Sequence, residues 1–120
     1  AQGLKIGLAT SSPFTMVEAV LGKLGIRDRF LAVHSAEVER FGKPHPDVYI
    51  HAAEKLGVEP VHCLAIEDSF TGLLAAKAAS MKALIVPDPA LVGDPRLAIA
   101  DHQLHSLAEL DADMLARWVA

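Results

Sequence analysis

The sequence predicts an α/β fold, a doubly wound parallel sheet covered by helices, and three observations carry that prediction. Short apolar runs alternate with helical stripes along the chain, the order that βα units produce. The apolar runs are nearly continuous rather than alternating with polar residues, as expected of strands buried on both faces. Finally, 52% of the residues are hydrophobic while only 5% are aromatic, so the core is expected to be aliphatic and rich in alanine.

In order along the chain, Leu4 to Ala9 reads as a short buried strand that stops at Thr10-Ser11-Ser12-Pro13. A helix is expected next, with Ser12 as its N-cap and Pro13 at the first helical position. Val17, Val20, Leu21 and Leu24 fall at i, i+3, i+4 and i+7 and define its apolar face, and Gly25 ends it. Phe30 to Val33 reads as a brief second strand, followed by a polar loop from Ser35 to Pro46 in which the prolines 44 and 46 exclude helix until Pro46 opens one. Tyr49, Ala52, Ala53 and Leu56 form the next stripe, which Gly57 closes. Val61 to Ile66 is a strand that ends in Glu67-Asp68-Ser69. Thr71 to Ala79 is a helix of small residues, Lys82 to Val86 a further strand, Leu91 to Ala100 irregular, Asp101 to Leu104 a weak edge strand, and Met114, Leu115, Trp118 and Val119 mark a terminal helix.

At 120 residues the chain fits one domain, and it has no internal repeat, linker or low-complexity segment. Eleven Lys and Arg against fifteen Asp and Glu leave a formal charge of −4. With no basic run and few aromatic faces, this argues against nucleic acid as a partner. The apolar runs are too short to span a bilayer. Cys63 is the only cysteine, which rules out an internal disulfide and fits a reducing cytoplasm; it is expected to be a buried thiol.

Three polar clusters share one kind of position, each directly after a strand or in a loop that leads into a helix: Thr10-Ser11-Ser12, Lys43, and Glu67-Asp68-Ser69. In an open parallel sheet these points line the crevice at the carboxyl ends of the strands. Hydroxyls and helix-start amides hold phosphate oxygens, an ammonium neutralises charge, and carboxylates hold magnesium. Taken singly, each cluster has an ordinary reading: an N-cap with spare hydroxyls, a solvated lysine, a solvated acidic turn. Together they match the demands of phosphoryl transfer.

The segments Gly7 to Pro13, Gly42 to Asp47 and Ile66 to Gly72 resemble the second, third and fourth motifs of haloacid dehalogenase (HAD) superfamily phosphatases. The resemblance runs from about Leu4 to Leu110 and is nearest the hexitol and 2-deoxyglucose-6-phosphate phosphatases, next to β-phosphoglucomutase. It implies a Rossmann-like three-layer sandwich and a Mg²⁺-dependent phosphomonoesterase that acts on small sugar phosphates through an aspartyl-phosphate. It also implies roles. Thr10 and the Ser11 amide would bind the transferred phosphoryl group, and Ser12 would touch substrate. Lys43 would offset the charge that builds up during attack. Asp68 would be a magnesium ligand and Glu67 a ligand or its supporting neighbour, with Ser69 and Gly72 shaping the metal loop. Ser80 stands where many relatives have glycine.

The family's first motif, an Asp-x-Asp that supplies the nucleophile, is not found before Thr10, and neither is the helical cap that follows it. Asp111-Ala112-Asp113 reads as a solvated helix start. Residues 1–120 are therefore expected to be the C-terminal part of a HAD-like core domain, inactive alone, with the strands ending at Ala9 and Ile66 left to close up, to pair with the missing N-terminal part or another chain, or to keep open edges. Competing readings are a β-phosphoglucomutase-like mutase, a non-catalytic phosphate- or partner-binding module, and a phospho-acceptor receiver domain, the last disfavoured by the order Thr10, Lys43, Asp68. Among the six histidines, His102 and His105 lack a third metal ligand, His45 reads as a surface residue near the site, and His34, His51 and His62 as structural or exposed. Asp88 reads as a turn residue or the edge of the pocket, and Trp118 as core or a cover for a sheet edge.

Overall fold

The computed structural model describes residues 3–119. Five short strands and four helices follow the expected order: β1 (Gly7–Thr10), α1 (Phe14–Leu24), β2 (Ala32–Ser35), α2 (Asp47–Leu56), β3 (Leu64–Glu67), α3 (Phe70–Ala78), β4 (Lys82–Ile85), β5 (His102–Gln103) and α4 (Ala112–Val119). Every pairing is parallel. β1 pairs with β2 from Gly7↔Ala32 to Thr10↔Ser35, and a second sheet has the order β3-β4-β5. α2 packs on β1 and β2, and α3 on β3 and β4. The main core is as aliphatic as the composition demands: Val48, Ala53, Ala65, Leu73, Ala75, Ala76, Ala83, Ile85 and Leu97 form one buried cluster. The alanines on α3 let its backbone approach the sheet closely, which larger side chains would prevent.

The helix ends show where local chemistry prevailed. α2 stops at Gly57, whose φ of 71° is the left-handed conformation that a C-terminal turn needs. α3 starts on Ser69, whose hydroxyl accepts from the Gly72 amide at 3.1 Å. It ends in a paired turn, with Ser80 N–H donating to Lys77 C=O and Met81 N–H to Ala76 C=O. Ser80 there has a φ of 69°, a conformation that costs a residue with a Cβ about 1 kcal/mol. α1 corrects the sequence reading. Pro13, not Ser12, is the cap residue, and the Phe14 amide donates to the Glu37 carboxylate at 2.9 Å instead. The Ser12 amide donates to Thr10 Oγ1 at 3.0 Å, which places Ser12 in the turn before the cap. Of the expected α1 stripe only Val17 and Leu21 are buried, against Val33, while Val20 and Leu24 are exposed, since only one turn-width of the helix meets β2. Cys63 is half-buried rather than buried; burial pushes its pKa up and its thiol faces the Glu59 carbonyl.

β1 and β3 are each edge strands of their own sheet. The space between them is a cavity of about 930 Å³, lined by Ile6 and Leu8 from the β1 side, Leu64 and Ile66 from β3, and by Leu56, Leu110 and Leu115. Of the outcomes expected for the two strands, closing up on each other is not what the structure shows. At the opposite edge, Trp118 of α4 stacks on His102 of β5 with ring centroids 4.0 Å apart, so the tryptophan covers a sheet edge and occupies one of the two histidines of the discounted metal pair. His105 lies in the turn closed by Glu109. Asp111 accepts from the Met114 amide at 2.9 Å and starts α4, which is the helix-start role read from the sequence.

Candidate active site

Thr10 is the last residue of β1, and its hydroxyl oxygen accepts from the Ser12 amide at 3.0 Å. That folds the Thr10–Pro13 turn back over the end of the strand. Ser35, fully buried at the end of β2, donates from Oγ to the Ser12 carbonyl at 2.6 Å and pins the turn from below. Ser11 lies exposed on this turn, and Ser12 half-buried.

Lys43 comes from the loop before α2, across a cis Lys43–Pro44 peptide. Its ammonium donates to Glu67 Oε2 at 2.7 Å and to the Ala9 carbonyl at 3.3 Å. One side chain thus ties the end of β1 to the end of β3 across the space that separates the two sheets. The pair is largely desolvated, the Lys43 and Glu67 side chains being 13% and 8% exposed. Tyr49, from the first turns of α2, donates its hydroxyl to the same Glu67 oxygen. Burial first, and the Glu67 charge second, push the Tyr49 pKa far up, so the phenol stays protonated and remains a donor. On the other side Glu67 lies against Gly72, where a Cβ would collide with its carboxylate; α3 needs glycine there because the acid is packed under its first turn.

Asp68 follows as an exposed carboxylate beyond the end of β3. The Val86 amide donates to the Glu67 carbonyl at 2.8 Å and the Asp88 amide to the Asp68 carbonyl at 3.1 Å, which holds this turn to the end of β4. The Asp88 carboxylate itself closes its own turn on the Ala90 amide. Thr10, Lys43, Glu67 and Asp68 all line one cavity of about 400 Å³, together with Leu8, Ala9, Ile66, Val86 and Leu107. Ser69 and Gly72 shape the neighbouring turn without lining it. His45 accepts from the Asp47 amide at 3.3 Å and rests beside the Phe41 ring, outside the cavity lining.

Among the described residues, the acidic side chains that line the cavity are Glu67 and Asp68, and this donor set fits a small hard cation. Mg²⁺ takes one or two carboxylates and keeps several waters. Asp68 has free access for that role, whereas one Glu67 oxygen is already engaged by Lys43 and Tyr49. The sequence reading missed Tyr49, assigned there to an apolar stripe; a tyrosine among buried alanines is itself a signal, since its hydroxyl requires a partner. It also missed Ser35, Glu37 and Leu107.

An α/β fold whose strand ends bring a hydroxyl, an ammonium and two carboxylates to one cavity offers the groups that hold a phosphate and a hard cation. The chain belongs to the haloacid dehalogenase-like hydrolase family, whose model matches residues 1–80. It is 50% identical to hexitol phosphatase B of Escherichia coli over 111 residues, 92% of this chain and 50% of that protein. It is 37% identical to β-phosphoglucomutase of Bacillus subtilis over 114 residues, 95% of this chain and 47% of that one. Among solved structures it is similar to CbbY from Rhodobacter sphaeroides in complex with xylulose-(1,5)bisphosphate, with a TM-score of 0.82 and 32% identity over 91% of this chain and 49% of that chain. The chain spans about half the length of the curated relatives it matches.

Proposed function

We propose that this chain forms the phosphate- and magnesium-binding wall of a phosphomonoesterase active site that acts on small sugar phosphates. The observation that carries the reading is the single cavity in which Thr10, Lys43, Glu67 and Asp68 meet at the carboxyl ends of β1 and β3. In this reading Thr10 and the Ser11 amide hold the phosphoryl oxygens, Ser12 meets the substrate, and Lys43 offsets charge that develops during transfer. Glu67, held by Tyr49, positions Lys43. Asp68 is the direct Mg²⁺ ligand, and Ser69 and Gly72 set the shape of its loop. When bound, the cation neutralises phosphate charge.

The nucleophilic aspartate, on this proposal, arrives on a strand that enters between β1 and β3. The two open strand edges and the apolar cavity between them support it, and so does the match to only half the length of the relatives. Residues 1–120 are then the C-terminal part of a core domain. Hexitol phosphatase B suggests the substrate class, and the lone Cys63 suits a cytoplasmic setting. Among the described residues, no helix is long and apolar enough to cross a membrane.

The likeness to β-phosphoglucomutase favours a second reading, a phosphosugar mutase. Incubating the full-length protein with Mg²⁺ and a panel of hexitol and hexose phosphates, followed by phosphorus NMR, separates the two. Free inorganic phosphate supports the phosphatase, and a rearranged sugar phosphate supports the mutase. Bound but unaltered substrates would leave only a phosphate-binding module.

A further inference from the structure

His34, Glu39 and His51 form a compact cluster where β2, the loop after it and α2 meet, and no role above uses them. One donor atom from each lies within 4.8 Å of the others. His34 is only 4% exposed, and both of its ring nitrogens are sealed from solvent with no hydrogen-bond partner. Its Nε2 lies 3.6 Å from Glu39 Oε1, too far for a hydrogen bond. His51 Nδ1 lies 2.6 Å from Glu39 Oε2, and the two imidazoles meet edge to face with centroids 5.8 Å apart.

An imidazole buried without a partner is uncommon and calls for an explanation. A simple His–Glu–His hydrogen-bond cluster would satisfy at least one nitrogen of His34, and this one does not. We propose that His34, Glu39 and His51 bind a divalent transition metal of the zinc type, with water as the fourth ligand, at a site separate from the oxygen-lined cavity around Asp68.

The donor chemistry selects the metal. Two neutral imidazoles and one carboxylate are the ligands of zinc and its neighbours, whereas magnesium prefers oxygen alone. Tetrahedral zinc with ligand bonds near 2.0–2.1 Å spaces its ligand atoms about 3.3 Å apart, so the cluster must contract slightly. His51 can supply that movement, being 40% exposed at its side chain on the outer face of α2. Lys55 is the cationic neighbour, and its ammonium is engaged by the Val33 carbonyl at 3.2 Å. A metal here would clamp β2 to α2 and fix the segment that runs from Ser35, which supports the Thr10 turn, to Lys43.

The test is a titration of chelator-treated full-length protein with Zn²⁺, followed by calorimetry and by competition with a chromophoric chelator. The expected result is one Zn²⁺ per chain, unaffected by millimolar Mg²⁺. Loss of a ligand should weaken it by more than about 100-fold, since even supporting residues around such sites cost 10–100-fold. His51→Gln is the variant of choice because its side chain is partly exposed and its substitution leaves the core intact; Glu39→Gln is the second. His105→Gln is the control and should change nothing. Substoichiometric binding, or binding that survives both His51→Gln and Glu39→Gln, would overturn the proposal, as would loss of binding in His105→Gln.

Discussion

Removing either member of the Lys43–Glu67 pair should destabilise the fold strongly, and removing both should cost little more than removing one. The two side chains are 13% and 8% exposed and 2.7 Å apart, so each is desolvated and each depends on the other. Breaking a buried pair by deleting one partner costs about 3–5 kcal/mol, because the survivor is left charged and unpaired. The lower end applies here. In Lys43→Met, Glu67 keeps the Tyr49 hydroxyl; in Glu67→Gln, Lys43 keeps the Ala9 carbonyl at 3.3 Å, and the cavity beside both admits water. Each single variant should therefore lose about 3 kcal/mol, and the double variant about 3–4 rather than 6, a coupling of about 2–3 kcal/mol. Urea unfolding of the four proteins, with unchanged slopes as the check on a common unfolded state, measures this. Additivity to within about 0.5 kcal/mol would show that the two groups do not depend on each other and would refute the reasoning.

Ser80→Gly should stabilise the protein by about 1 kcal/mol, because it relieves a left-handed residue that closes α3; thermal unfolding would register a higher midpoint. Gly72→Ala should do the opposite and also lower phosphate affinity, since the added methyl group meets the Glu67 carboxylate that holds Lys43; unchanged stability and affinity would contradict the packing described. The Asp101 pKa is lowered: burial opposes this, but hydrogen bonds from Lys77 and from the Ala83 amide outweigh it. Its stabilising effect is accordingly complete above the unfolded value of about 3.9 and fades as pH falls through the lower folded value. Asp101→Asn should remove that acid-side loss, with an effect at neutral pH of about 1 kcal/mol or less because the pair is partly exposed; stability curves from pH 2 to 7 for the two proteins would be compared.

The order of elements was legible from the sequence because apolar runs and helical stripes reflect burial directly. Strand limits were not. Leu4 to Ile6 read as strand but lie before β1, and Val61 and His62 belong to a 3₁₀ turn that Pro60 begins. Hydrophobicity records which residues avoid water, not which ones find a backbone partner. Thr10, Lys43, Glu67 and Asp68 were legible as a set because three separate loops carried matching chemistry. Their internal wiring was hidden, since the Lys43–Glu67–Tyr49 arrangement joins a loop, the end of a strand and a helix. The α1 cap failed for the same reason: Glu37, distant in sequence, displaced the local candidate Ser12. The His34–Glu39–His51 cluster has no spacing pattern, because a strand, a loop and a helix each contribute one member.

The account rests on Thr10, Lys43 and Asp68 acting as one phosphate- and magnesium-binding site. Calorimetric titration of the protein with inorganic phosphate, at several Mg²⁺ concentrations, tests this most directly. Phosphate should bind more tightly as Mg²⁺ rises, and Asp68→Asn, an exposed substitution with little effect on folding, should abolish that enhancement. Phosphate affinity that is indifferent to Mg²⁺, or an enhancement that persists in Asp68→Asn, would contradict it.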